Sequence, residues 1–288
     1  MDKNMELQVY ASAKKMKNNR RRRTVAAFCC TCIFLVGITV CGNFLMKAAP
    51  ATDFSNKNLA PSLQHLFGTD WMGRDMMTRT VAGLSLSIRL GLLAAGFSAV
   101  MAAVLGTMAA TMGERVDFVI TWVIDLMLGM PHIVLLLLIS FAIGKGFWGV
   151  TVGVALTHWP GLARVVRGEV LQVREATYVK VASKLGQSTA KIAWKHIFPH
   201  VFPQFLIGTI LLFPHAILHE ASVTFLGFGL PPEQPAIGII LSESMAYLSA
   251  GRWWLALFPG LALILTVALF DMAGENLRKL LAPSSAQD

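Results

Sequence analysis

Charge is scarce in this chain. Asp, Glu, Lys and Arg make up 14% of its 288 residues, and 16 positions are acidic. Soluble domains carry nearer a quarter charged residues, so a free-standing soluble enzyme is excluded. Cysteine is scarcer still. The 4 cysteines, Cys29, Cys30, Cys32 and Cys41, all fall in the first apolar run, which rules out a disulfide framework. Cys30-Thr31-Cys32 has no accompanying His, and thiols in lipid are packing residues rather than ligands. Catalytic signatures are missing as well. There is no Gly-rich phosphate loop of the Gly-x4-Gly-Lys-Ser/Thr type, so the chain does not hydrolyse ATP itself. There is no Gly-x-Ser-x-Gly elbow and no Ser-His-Asp pattern. His219-Glu220 is followed by Ala221-Ser222-Val223 and not by a second His, which excludes the His-Glu-x-x-His metalloprotease helix. No short repeat occurs, and no polar stretch is long enough to form a soluble domain.

What the chain does have is apolar length. Hydrophobic residues reach 55% and the mean hydropathy is +0.59, the profile of a polytopic all-α membrane protein. Six spans are predicted: 24–46, 84–112, 118–143, 147–165, 201–226 and 255–273. Residues 1–23 form a basic tail before the first span. That span is too long for the apolar core of a signal peptide, and Lys47 sits where small residues would prepare cleavage. Residues 47–83 make a polar loop holding Pro50 and Pro61, and 84–276 form a five-helix core, followed by a short tail over 277–288. Gly91, Gly96 and Gly106 in the second span let helices approach closely. Pro160, Pro203, Pro214 and Pro259 interrupt the fourth, fifth and sixth spans and free backbone carbonyls there. Residues 237–249 are expected to form a helix lying at the membrane interface, anchored near Trp253 and Trp254.

The +9 formal charge is a topology signal, not a nucleic-acid one. Of the 25 Lys and Arg, eight lie in residues 1–23, ending in Arg20 to Arg23, and seven more lie in the loop 164–199. Counting Arg115, Arg278 and Lys279 with these puts 18 basic residues on one side and 7 on the other. The positive-inside rule then makes both termini and the loop cytoplasmic.

The basic loop organises the rest. Residues 173–184 lack Gly and Pro and read as a helix, with Val179, Ala182 and Leu185 on one face and Lys180 and Lys184 on another. Gly186 can end it in a left-handed conformation. A second short helix is predicted over 190–198, stopped at Pro199. Such a helix pair either lies on headgroups or buries its apolar face against a soluble partner.

Two features inside the spans carry polar chemistry. Asp125 lies near one end of the third span, close enough to pair with Arg115 or a base of the loop, and a structural role is expected of it. His215 and His219 are four apart in the fifth span and so share a helix face, with His158 in the fourth span as a neighbour. Imidazoles so placed can face one transition-metal ion. The competing reading is that each bonds a carbonyl freed by Pro214 or Pro160.

Two motifs resemble those of one transporter family. Lys180-Val181-Ala182, Gly186 and His196-Ile197-Phe198-Pro199 are similar to the Glu-Ala-Ala-x3-Gly-x9-Ile-x-Leu-Pro loop of ABC importer permeases. Ala182, Gly186 and Pro199 match identically, whereas Lys180 stands where the family has Glu. The run Phe67-Gly68-Thr69-Asp70-Trp71-Met72-Gly73-Arg74-Asp75-Met76-Met77-Thr78-Arg79 resembles Leu-Gly-Thr-Asp-x-x-Gly-Arg-Asp-x-x-Ser-Arg. That run opens the second helix of dipeptide, oligopeptide and nickel permeases. Thr157-His158-Trp159 and Pro214 to His219 look like the nickel-type members, so nickel or a metal–chelator complex is the expected cargo and a peptide the alternative.

The resemblance implies a type I importer fold. It implies a heterodimer with a homologous permease, two cytosolic ABC ATPases holding the ATP and Mg, and an extracytoplasmic solute-binding protein, all at a bacterial cytoplasmic membrane. This chain itself would hold no cofactor. Tyr178, Val179, Lys180, Ala182, Leu185, Gly186 and Pro199 would couple it to the ATPases, and His158, His215 and His219 would line the path. The rival of another class is a stand-alone ion-coupled carrier, which would more often place paired acids at the midplane and would not need the helix-turn-helix loop.

Overall fold

A computed structural model describes the backbone of residues 3–281 and, Thr189 excepted, the side chains from Arg21 to Leu281. Helices make up most of the described residues, which contain no strand. The long helices are α1 (Lys3–Leu45), α2 (Met76–Thr111), α5 (Phe147–Glu175), α8 (Phe198–Phe225) and α10 (Trp254–Leu281). Between them stand α3 (Glu114–Gly129), α4 (His132–Ile143), α6 (Thr177–Lys184), α7 (Thr189–Ile192) and α9 (Ile237–Leu248).

Length and composition let four stretches cross a bilayer: Arg21–Leu45, Met76–Thr111, Ala190–Phe225 and Trp254–Leu281. The α3–α4 pair makes a fifth if it is counted as one broken span. The remaining expected span lies in α5, which is long enough but carries Thr151, Thr157, His158 and Arg164. A polar helix is tolerated at membrane depth when protein covers it. Fifteen residues of α5 are buried, including those two threonines and His158, under α2, α4 and α8.

The centre of the bundle is α2. Its small residues, Gly83, Gly91, Ala94, Ala95, Ala102 and Gly106 among them, let neighbours come close. At Gly106 an added Cβ would stand 2.6 Å from the Ala163 carbonyl oxygen of α5. At Gly91 it would stand 2.7 Å from Ile217 of α8. Ser98 of α2 donates to the Ala155 carbonyl at 2.8 Å, a hydrogen bond from helix to helix. Around these contacts pack Trp159, Leu162, Ala163 and Val166 from α5 and Ile217 and Ala221 from α8.

Several boundaries differ from those expected. The first helix does not start at the apolar run. It continues back to Lys3, so the backbone of the basic tail is helical from that residue on. The second helix begins at Met76 rather than 84, because Asp75 caps it: its Oδ2 accepts the Thr78 amide at 2.8 Å. The third span is not one helix. Pro131 has no amide hydrogen and favours an extended residue before it, so the chain breaks at Met130 and Pro131. There α4 turns 102° from α3.

The loop 164–199 is less loop than expected. α5 runs on to Glu175, and only Ala176 separates it from α6. Pro199 does not stop a helix but stands in the first turn of α8, where a missing amide hydrogen costs nothing. A π-helical segment over Ala193–Ile197 joins α7 to α8. The helix expected over 237–249 is present as α9, but Ile237, Gly238, Ile239, Ile240 and Ser244 are buried, so it is packed into the bundle. The part of the 277–288 tail beyond Leu281 lies outside the described residues.

Gly106→Val would force α2 and α5 apart. Overpacking of this kind costs about 1–3 kcal/mol. Thermal unfolding of the detergent-held protein should fall accordingly, while Gly96→Ala, with nothing within 4 Å of the added Cβ, should leave it unchanged.

Candidate functional site

Three places in the bundle carry organised polar or exposed chemistry. The first is the segment before α2. Gly68 and Gly73 take φ of +73° and +75°, and each faces a backbone carbonyl oxygen too closely for any Cβ, so only glycine fits. These turns bring Asp70 under two guanidinium groups. Asp70 Oδ1 accepts the Met72 and Arg74 amides at 2.8 and 3.0 Å. Its Oδ2 accepts Arg74 Nε at 2.6 Å and Arg79 Nη1 at 2.7 Å. Both arginines then donate to Glu243 Oε2 of α9, at 3.0 and 2.9 Å. Asp70, Arg74 and Arg79 are all buried. The motif is therefore a clamp that ties the start of α2 to α9. Asp75 belongs to the same segment. Burial works to raise its carboxyl, but the Thr78 amide and the His65 ring, 3.0 Å away, outweigh it and hold the group below the ordinary Asp range.

The second place is the hairpin at the far end of α5. Val179 and Ala182 of α6 are buried against Val173 and Ile192, a small core of its own. Leu185 does not share that face. The helix ends at Lys184, and Leu185 as its C-cap is 76% exposed. With Tyr178 and Val181, also exposed, it forms an apolar stripe at spacings of three and four. Gly186 has φ +79°, the left-handed conformation that ends α6. Lys180 pairs with Glu175 at 2.7 Å, and its ammonium holds that carboxyl below the usual range. The acids of α3 pair with bases of α5: Asp125 with Arg164 at 2.6 Å, and Asp117 with Arg167 through two bonds of 2.5 and 2.6 Å. Asp125 thus has the structural role expected of it, with the loop base and not Arg115 as partner.

The third place is a cluster of histidines. His158 of α5 and His219 of α8 come together, with ring centroids 5.1 Å apart. His215 does not join them; it is exposed on α8, one turn away. The third ring is His132, the first residue of α4, at 4.6 Å from His158 and 4.4 Å from His219 between centroids. One ring nitrogen from each of the three lies within 4.8 Å of the others.

Similarity to known proteins adds the family. The model described as "Binding-protein-dependent transport system inner membrane component" matches residues 102–286. The chain belongs to this family. A dipeptide transport system permease of Bacillus subtilis (strain 168) is 31% identical over 252 residues, 87% of this chain and 79% of that protein. An oligopeptide transport system permease of the same organism is 32% identical over 232 residues, 81% of this chain and 76% of the other. Among solved structures, a chain of the MetNI methionine ABC transporter superposes with a TM-score of 0.60 at 16% identity, covering 72% of this chain and 98% of that one. At that identity the likeness concerns the fold alone. The chain is thus a multi-pass permease subunit of an ABC importer and not an enzyme; ATP hydrolysis belongs to partner subunits.

In this permease the sequence pattern marked Asp70, Arg74 and Arg79 but not Glu243, which lies 164 residues beyond Arg79 with no motif around it. It also left His132 aside. Its only signal was Pro131 before it, and the break that turns α4 toward α5 and α8 is a tertiary feature.

Asp70→Asn would leave the two guanidiniums of the permease clamp with one carboxylate. Removing one partner of a buried ion pair costs about 3–5 kcal/mol. The variant should unfold at clearly lower temperature and free the start of α2, read as faster hydrogen exchange at Met76 to Thr80 than in the parent.

Proposed function

We propose that this permease forms half of the translocation path for short peptides, beside a homologous permease, with two ATPases docked on α6 and a solute-binding protein over the Asp70 clamp. The observation that carries the docking is the Tyr178–Val181–Leu185 stripe, an apolar face left exposed among the described residues. A short amphipathic helix standing off the bundle needs such a partner, and the buried Val179–Ala182 face fixes it rigidly to α5. Motion of a docked ATPase would reach α5 and α8 through Ala176 and the π segment, the joints on either side of the hairpin. The clustering of Arg164, Arg167 and Arg174 with the hairpin lysines supports a cytoplasmic position for this end, together with the Arg20–Arg23 run. The peptide cargo is supported by the dipeptide and oligopeptide permeases that the chain resembles over more than four-fifths of its length.

A second reading, nickel or a metal–chelator complex as cargo, has one specific observation in its favour: three imidazoles converge between α4, α5 and α8. Uptake separates the two. Cells depending on this permease should accumulate a labelled dipeptide and lose that uptake when the chain is deleted. Nickel uptake lost with no change in dipeptide uptake would replace the first reading by the second.

Gly186→Val tests the docking. A β-branched residue at φ +79° carries a strain of about 1–2 kcal/mol and should unseat the end of α6. In reconstituted complexes, ATP hydrolysis stimulated by loaded binding protein should fall several-fold while membrane insertion stays normal. Unchanged stimulation would count against the hairpin as the coupling element.

A further inference from the structure

The histidine cluster is unusual in what it lacks. His158 is 8% exposed, and its Nδ1–H donates to the Val154 carbonyl at 2.8 Å. That bond leaves Nε2 as the ring's free nitrogen, and Nε2 is buried without a hydrogen-bond partner. An absent acceptor selects a lone pair at that atom, since a buried N–H with nowhere to donate costs about 1–3 kcal/mol. A backbone carbonyl fixing one nitrogen so that the other presents its lone pair is how metal-binding imidazoles are held. His132 Nε2 is buried and unpartnered in the same way. Neither ring is satisfied by a carboxylate. Glu220, next in sequence to His219, is fully buried and accepts from Thr224 at 3.0 Å within α8. The reading in which these imidazoles serve only to bond carbonyls freed by proline does not fit: a proline frees the carbonyl four residues before it, Leu156 for Pro160, whereas His158 bonds Val154, and Nε2 of both His132 and His158 stays without a partner.

We propose that His132, His158 and His219 form a single transition-metal site spanning α4, α5 and α8, selective for borderline divalent cations such as nickel, cobalt or zinc. Imidazole nitrogens favour these ions over magnesium or calcium, which take oxygen ligands. With metal–nitrogen bonds of about 2.1 Å, ligand nitrogens in a tetrahedral site stand about 3.4 Å apart. The present spread of up to 4.8 Å is wider by up to about 1.4 Å. Seating an ion draws the three helices together, and the break before His132 gives α4 the freedom to follow. Three neutral ligands leave coordination positions open and cancel none of the ion's charge. The ion is held weakly enough to leave, and it keeps room for anionic ligands that it brings with it, as a metal–chelator cargo would. The site deepens the metal-cargo reading and rests on it for the ion's role as cargo. It differs from the pair marked by the sequence, because His132 replaces His215.

The test is equilibrium binding to the intact importer complex in lipid nanodiscs, titrated with nickel or cobalt ions and read as the difference between parent and His158→Gln complexes. One ion per copy of this chain is expected. His132→Gln should weaken it tenfold or more, as should His219→Gln, while His200→Gln, an exposed position at the start of α8, should stay within twofold. His132→Cys supplies a readout that a merely structural role would not move: the cobalt-loaded complex should gain a near-ultraviolet thiolate charge-transfer band. No chain-specific ion, binding indifferent to His132→Gln, loss on His215→Gln with His132→Gln silent, or no band in the cysteine variant would each overturn the site. Binding with these signatures but without nickel uptake would leave the site standing and remove the cargo reading. Nickel uptake without such binding would do the reverse.

Discussion

A polar helix can cross a bilayer only where protein covers it, and α5 is the polar helix here. It carries two buried threonines and His158 through the stretch that α2, α4 and α8 cover, so its neighbours are arranged around them. α2 does so with glycine and alanine, close enough that Gly106 touches the Ala163 carbonyl. α4 does so by breaking from α3 at Pro131 and leaning on Val150 and Val154 through Leu136. α8 closes the remaining side. The same covering buries His158 and half-buries His132 and His219. α5 then leaves the bundle at its far end to carry the hairpin. One element thus joins the interior of the bundle to the surface where a partner would dock.

The two ends are held by opposite means. Before α2, a carboxylate shared by two arginines, with Glu243 closing the ring, makes a rigid link between α2 and α9. Such a network is specific in geometry rather than generous in energy, since desolvation offsets most of the attraction. At the hairpin the charges are exposed and the pairs weak: Lys180 with Glu175 is a surface bridge that solvent screens. Rigidity there comes from Val173, Val179, Ala182 and Ile192 instead.

Much of this was legible in the residues because it is local. Apolar length, the left-handed turn at Gly186 and the pairing of Asp125 with a loop base follow from neighbours in sequence or from simple reach. Misreadings came where a long-range partner decides. The third span read as continuous because its composition is apolar throughout, and the Gly129–Pro131 break shows only as a turn of direction. Leu185 read as part of the buried face because periodicity continued past the helix end. His215 read as a ligand because it shares a face with His219, but α4 supplies the third ring from elsewhere. Lys180, the departure from the loop motif, pairs with Glu175.

The central claim is that this chain moves its cargo as part of an ATP-driven assembly. Purifying the tagged chain in mild detergent and weighing the intact complex by native mass spectrometry tests it directly. The account predicts a second permease and two ATPase subunits held with the chain, the ATPases lost when Tyr178, Val181 and Leu185 are replaced together by serine. A chain that purifies without an ATPase, and that moves solute in vesicles on an ion gradient without ATP, would contradict it.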